Sequence, residues 1–194
     1  MFNWPLVQYF TQNISKMDNI KIHDKYFEPF IRFDKIESAV TKIADNINKD
    51  IKGKTPIFFV ILNGSFMFAG DLLKKITLPC EVSFVKLASY VGTKSTENVR
   101  QLIGFDEDIN GRTIIIIEDI IDSGITMENV LNQLESMGAA DVRIATLLFK
   151  PEAFRKSYKI DYVGLEIPND FIVGYGLDYD SQGRNLKDIY KIIE

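Results

Sequence analysis

The sequence predicts an α/β fold, a mostly parallel central sheet flanked by helices, and three observations predict it. Ile114 to Ile117 are four consecutive isoleucines, a run that suits a strand buried on both faces. Comparable apolar runs recur at Ile57–Leu62 and Val142–Phe149. Amphipathic helical patterns lie between these runs, so the connections read as right-handed crossovers and the strands as parallel neighbours. The N- and C-terminal pieces fall outside this alternation and are expected to form a small hood.

The elements follow in order. Residues 1–16 carry Trp4, Pro5, Tyr9 and Phe10 among interleaved Gln and Asn, with no basic start of the kind a signal peptide has. They are expected to be a surface extension of unknown role, unless Met17 is the true start; residues 17–194 form a single domain. Asp34-Lys35-Ile36-Glu37 resembles a capping box, and Ile36, Ala39, Val40, Ile43, Ala44 and Ile47 mark the buried face of a first helix. Gly53 and Pro56 end it, and Ile57–Leu62 is the first buried strand. A second helix is expected over Phe66–Ile76 and a strand over Glu81–Leu87. The polar, hydroxyl-rich stretch Leu87–Gly104 reads as a long loop or hairpin of the length that usually serves as a lid. After the isoleucine strand, Met127, Val130, Leu131, Leu134 and Met137 share one helix face, closed by Gly138. Strand Val142–Phe149, a helical turn from Pro151, and strands near Asp161–Leu165 and Phe171–Val173 complete the chain.

Bulk properties narrow the function classes. A chain of 194 residues with 46% apolar content has length enough for one well-cored domain. A net charge of −4 and no dense Lys/Arg run argue against nucleic-acid binding. The apolar runs are too short for a membrane span. The lone Cys80 cannot form an internal disulfide, and with the single His23 it cannot build a zinc site. A reducing cytoplasm fits this usage.

Chemistry concentrates at Glu118-Asp119-Ile120-Ile121-Asp122-Ser123-Gly124-Ile125-Thr126. Glu118 and Asp119 are placed at the end of the strand with side chains on different sides of it. Asp122 follows on the turn, and Ser123, Gly124 and Thr126 supply hydroxyls and pliant backbone where a helix opens. A helix start offers N–H groups without internal partners and a partial positive charge, which favours a phosphate. Carboxylates beside it suit ribose hydroxyls and a hard cation. The pattern therefore reads as a sugar-phosphate site at the carboxyl end of a parallel sheet.

This segment resembles the phosphoribosyl-pyrophosphate motif of type I phosphoribosyltransferases. Leu62-Asn63-Gly64-Ser65, Ser89 to Thr96, and Asp161 to Pro168 running on to Leu177-Asp178-Tyr179 narrow the resemblance to the hypoxanthine-guanine members, over about Met17 to the C-terminus. It implies the type I fold and purine salvage: transfer of the 5-phosphoribosyl group to N9 of hypoxanthine or guanine, releasing pyrophosphate. It further implies that Glu118 and Asp119 hold the ribose hydroxyls and Mg2+, and that Asp122, Ser123, Gly124, Ile125 and Thr126 cradle the 5′-phosphate. Asp122 would also take the N7 proton of the purine as catalytic base. Leu62, Asn63, Gly64, Ser89, Tyr90 and Arg184 would meet pyrophosphate, with a cis peptide between Leu62 and Asn63. Lys150 would donate to the purine 6-oxo group, Phe171 would stack on the base, the Ile172 backbone would contact it, and Asp178 would border it and assist a second magnesium ion. The common vertebrate pattern has lysine where Asn63 stands, so one charge contact is replaced by a neutral amide. A homo-oligomer, dimer or tetramer, is implied as well. Two other readings stay open: a xanthine-specific relative, and a non-catalytic regulator that senses phosphoribosyl pyrophosphate and binds RNA.

Overall fold

The computed structural model describes residues 19–88, 100–103 and 108–193, and they divide into two compact units. The larger, Asp34–Asn169, is built on a six-stranded sheet. Its strands are β3 (Ile57–Leu62), β4 (Glu81–Ala88), β5 (Arg100–Ile103), β6 (Thr113–Ile121), β7 (Asp141–Phe149) and β8 (Tyr162–Glu166), in spatial order β5-β4-β3-β6-β7-β8. Every pairing is parallel except β4 with β5. Helix α1 (Phe33–Asp50) precedes β3, α2 (Phe66–Leu73) links β3 to β4, and α3 (Ile125–Ser136) links β6 to β7.

Burial explains the run of isoleucines. Ile114 to Ile117 are wholly inaccessible, as are Ile57 to Val60 beside them. Ile57, Phe59, Ile114 and Ile116 pack on one face with Met127, Val130 and Leu134 of α3. The alternate residues point to the opposite face, where α2 packs on β3 and β6. The six residues expected to form the inner face of α1 are all buried.

The strand order fixes where a ligand can lie. From β3 the chain crosses to β4 on one side, and from β6 it crosses to β7 on the other. The order therefore reverses between β3 and β6, and the loops leaving their carboxyl ends, Leu62–Ser65 and Asp122–Gly124, flank that switch point.

Two expectations are revised. β6 does not end at Glu118 and Asp119: its pairing with β7 continues to Ile121↔Phe149, so both acids lie within the strand. Hydrogen bonding to β7 holds them extended although β3 pairs with β6 only as far as Val60↔Ile117. The start of α1 is not the capping box at Asp34. The Phe33 amide donates to Asp188 Oδ1 at 2.8 Å, and Arg32 pairs with the same carboxylate at 3.0 Å.

The smaller unit contains residues 19–33 and 170–193. It joins both chain ends, as expected of the hood segments, in an antiparallel sheet of order β1-β2-β10-β9. These strands are β1 (Ile20–Ile22), β2 (Lys25–Ile31), β9 (Ile172–Val173) and β10 (Ile189–Ile192). Phe27, Ile22 and Val173 form its core. The extension 1–16 and the loop hydroxyls Ser89 and Tyr90 lie outside the described residues.

Candidate active site

The turn expected to cradle a phosphate grows directly out of β6. A cavity of about 110 Å³ is lined by Glu118 and by Ile120 through Met127. Gly124 stands at the N-cap of α3 with φ 83°, a left-handed conformation that glycine adopts without steric cost, and no side chain caps the helix. The first amides of α3 have no acceptor within the helix, and this leaves them available to an anion.

Sequence reasoning overlooked what stands behind this loop. The Tyr158 hydroxyl donates to Gly124 O at 2.9 Å, the Arg155 amide to Ser123 O at 3.3 Å, and the Lys150 amide to Ile121 O at 2.9 Å. Lys156 Nζ lies 2.7 Å from Glu128 Oε2 in the first turn of α3. The segment after β7 thus grips the loop at two places, Ser123 and Gly124, and its flanks at two more, the end of β6 and the first turn of α3. An aromatic residue eight positions beyond a strand-end lysine carries no local signal of that contact, which only the β6–β7 register creates.

The two acids of β6 differ in their surroundings. Glu118 Oε2 is buried and has no hydrogen-bond partner among the described residues. Burial foremost, and then the neighbouring Asp119 charge, push its pKa well above the ordinary carboxylate range. Asp119 Oδ1 accepts the Ile120 amide at 2.8 Å, while its Oδ2 rests against Gly64, where an added Cβ would overlap it. Gly64 is therefore required for the close approach of its loop to β6. The Leu62–Asn63 peptide is cis, as the resemblance implied, and the Asn63 side chain is exposed.

Two adjacent carboxylates offer oxygen ligands to a hard cation, and no group of three or more metal-ligating side chains occurs among the described residues. That set fits magnesium, which keeps waters and substrate oxygens and needs only one or two protein carboxylates. The unpartnered Glu118 oxygen is the specific sign of fit, since a nearby cation would offset the cost of its charge.

Asp122 and Lys150 are brought together. Lys150, only 8% exposed, places Nζ 3.2 Å from Asp122 Oδ2. In the smaller unit, Phe171 is 46% exposed and sits 5.8 Å from the Tyr179 ring, edge to face. Ile172 is buried and pairs with Lys191 in the sheet. Asp178 and Arg184 form an ion pair of 2.6 Å, and Asp178 also accepts the Ser181 amide at 2.8 Å. Arg184 donates in turn to Gly176 O at 2.7 Å.

A parallel sheet with a glycine-bearing turn opening onto a helix at its switch point, beside a strand-borne acid pair, has the make-up that suits a sugar phosphate. Residues 32–180 match the phosphoribosyl transferase domain family, and the chain belongs to that family. Among curated relatives, it is 37% identical over 163 residues to the hypoxanthine-guanine phosphoribosyltransferase of Mycobacterium tuberculosis, covering 80% of this chain and 81% of the relative. It is 40% identical over 159 residues to that of Streptococcus pneumoniae, covering 80% and 87%. Among solved structures, a hypoxanthine phosphoribosyltransferase from Staphylococcus aureus superposes with a TM-score of 0.81 at 31% identity, covering 93% of this chain and 95% of the other. A hypoxanthine-guanine phosphoribosyltransferase from Bacillus anthracis, with HEPES in its active site, gives 0.80 at 33%, covering 86% and 97%.

Proposed function

We propose that this chain is a purine-salvage phosphoribosyltransferase that moves the 5-phosphoribosyl group from phosphoribosyl pyrophosphate to N9 of hypoxanthine or guanine. The products are IMP or GMP and pyrophosphate. What most favours a 6-oxopurine acceptor is the pairing of Asp122 with Lys150, which sets a proton acceptor 3.2 Å from a cationic donor. N7 and O6 are neighbours on one edge of such a base. Asp122 accepts the N7 proton as Lys150 donates to O6, and the electron density released at N9 attacks the anomeric carbon. Adenine offers an amino group where Lys150 also offers hydrogens, donor against donor.

The remaining residues have matching tasks. The turn from Asp122 to Thr126, opening onto α3, holds the 5′-phosphate by backbone amides and hydroxyls. Asp119 and Glu118 take the ribose hydroxyls, and Leu62, Asn63 and Gly64 meet the pyrophosphate together with Ser89, Tyr90 and Arg184. Phe171 offers an open aromatic face for stacking, with the Ile172 backbone and Asp178 bordering the base. Glu118 and Asp119 would hold magnesium, with Asp178 assisting a second ion; bound there, magnesium neutralises charge on the departing pyrophosphate.

We further read the chain as a cytoplasmic homo-oligomer, dimer or tetramer. Exposed apolar residues on β4, Val82 at 42% and Phe84 at 47%, are the kind of surface that self-association covers, and light scattering measures the mass directly. No helix among the described residues is long and apolar enough to cross a membrane.

The deciding experiment supplies phosphoribosyl pyrophosphate and magnesium with hypoxanthine, guanine, xanthine and adenine in parallel. Turnover of the first two alone supports the proposal. Preference for xanthine reassigns the base, and no turnover by folded protein that still binds the ribose phosphate overturns the enzyme reading.

A further inference from the structure

Gly124 O accepts two hydrogen bonds, from the Glu128 amide at 3.1 Å within α3 and from the Tyr158 hydroxyl at 2.9 Å. Contact at the α-carbon is equally close. A Cβ built on Gly124 would fall 2.6 Å from Phe154 Cε2 and 2.7 Å from the Tyr158 oxygen. The two rings meet edge to face at 5.2 Å, and Phe154 in turn meets Phe149 at 5.3 Å. Phe149 is the last residue of β7, whose register partner is Ile121 at the end of β6. A ladder of three aromatics thus runs from the rigid sheet to the back of the one left-handed residue in the phosphate loop. None of the three lines the cavity in front of that loop.

We infer that Tyr158 is a positioning residue for the phosphate loop, holding Gly124 in its left-handed turn from outside the cavity. The inference rests on the reading of residues 122–126 as the 5′-phosphate cradle. A loop in this position must aim several backbone amides at one anion, and a turn free to fluctuate would lose entropy on each binding event. With no side chain capping α3, the usual restraint at a helix start is missing, and the Tyr158 hydroxyl restrains the turn from the other side, by donating to the Gly124 carbonyl. Burial first, then the charges of Glu128 and Glu118, push the Tyr158 pKa up to about 12, so the hydroxyl remains a donor at any physiological pH.

The test is calorimetric binding of ribose 5-phosphate to the full chain, comparing wild type, Tyr158→Phe and Tyr162→Phe. Tyr162 is a control of similar chemistry outside the cradle, where its hydroxyl accepts from Arg143 at 3.0 Å and lies 3.4 Å from Asp50. Tyr158→Phe keeps the ring and removes one neutral hydrogen bond. The expected result is binding weakened about three- to tenfold, and in turnover a matching rise in KM for the ribosyl donor with kcat and purine KM held. Tyr162→Phe is expected to lower Tm without moving affinity. Equal affinity of wild type and Tyr158→Phe, or equal losses in both variants, would overturn the positioning role while leaving the proposed function intact. Wild type that binds no ribose phosphate would overturn both.

Discussion

Asp122 and Lys150 occupy equivalent places on neighbouring strands. Ile121 of β6 is the register partner of Phe149 of β7, so each of the two residues is the next step off its strand, and their charged ends meet at 3.2 Å. The pairing is therefore a consequence of sheet register and not of loop conformation. The lysine is largely buried and its partner half exposed, so one side chain is fixed and the other can turn toward a ligand.

Asp122→Asn is expected to preserve the fold and ribose-phosphate binding while reducing kcat by about 10²–10⁴-fold, the usual cost of losing a general base. Rapid-quench measurement of a single turnover checks it. A rate within a factor of about ten of wild type would remove Asp122 from the base role.

Lys150→Met should raise KM for hypoxanthine by at least about tenfold, the worth of one charged hydrogen bond, with little change for phosphoribosyl pyrophosphate. Combined with Asp122→Asn in a thermal double-mutant cycle, it should reveal a coupling of about 0.5–1 kcal/mol, low because Asp122 is screened by solvent. Purely additive stabilities would mean the ion pair is inconsequential in solution.

Glu118→Gln should stabilise the metal-free protein at neutral pH. The folded pKa is raised above the ordinary value of 4.5, so below that value both folded and unfolded states carry the proton and the wild type bears no penalty. As pH climbs from 4.5 toward the raised folded value, the unfolded chain releases its proton first and stability falls. The variant lacks this slope. Thermal scans across pH 4 to 8 should show the two proteins converging at the acid end and the variant melting higher at the neutral end, by roughly 2–4 °C for each kcal/mol recovered. Parallel curves would contradict the buried, unpartnered state of Glu118.

Gly64→Ala would thrust a methyl onto the Asp119 carboxylate, 2.5 Å from its Cγ. A displacement on the scale of an ångström at a substrate-positioning group costs on the order of 10²-fold, and kcat/KM for the ribosyl donor reports it. Activity within twofold would show that Asp119 works equally well from another position.

Much of this was legible in the sequence because it depends on local pattern. The isoleucine run, the α1 face from Ile36 to Ile47 and the acidic loop all announce themselves within a dozen residues, since burial selects their periodicity. The cis Leu62–Asn63 bond followed from resemblance alone. What stayed hidden depends on partners distant in sequence. Asp188 holds the Phe33 amide from the far end of the chain, and Tyr158 reaches Gly124 across 34 positions. Placing the strand end at Glu118 and Asp119 failed for the same reason, because β7 extends β6 to Ile121 by hydrogen bonds that two adjacent acids give no hint of.

The antiparallel unit has a consequence in time. Its central strands β2 and β10 come from opposite ends of the described chain, and the tie between Arg32 and Asp188 spans 156 residues. During synthesis the parallel sheet has all its strands once Glu166 has emerged, whereas β1 and β2 wait as a lone hairpin, which is marginal in water. Closing so long a loop onto a small sheet is slow and entropically opposed. The nascent protein should therefore complete the parallel sheet and the turn from Asp122 to Gly124 first and the antiparallel sheet last; on the proposed function, it would pass through a stage competent to hold a sugar phosphate before it can receive a base.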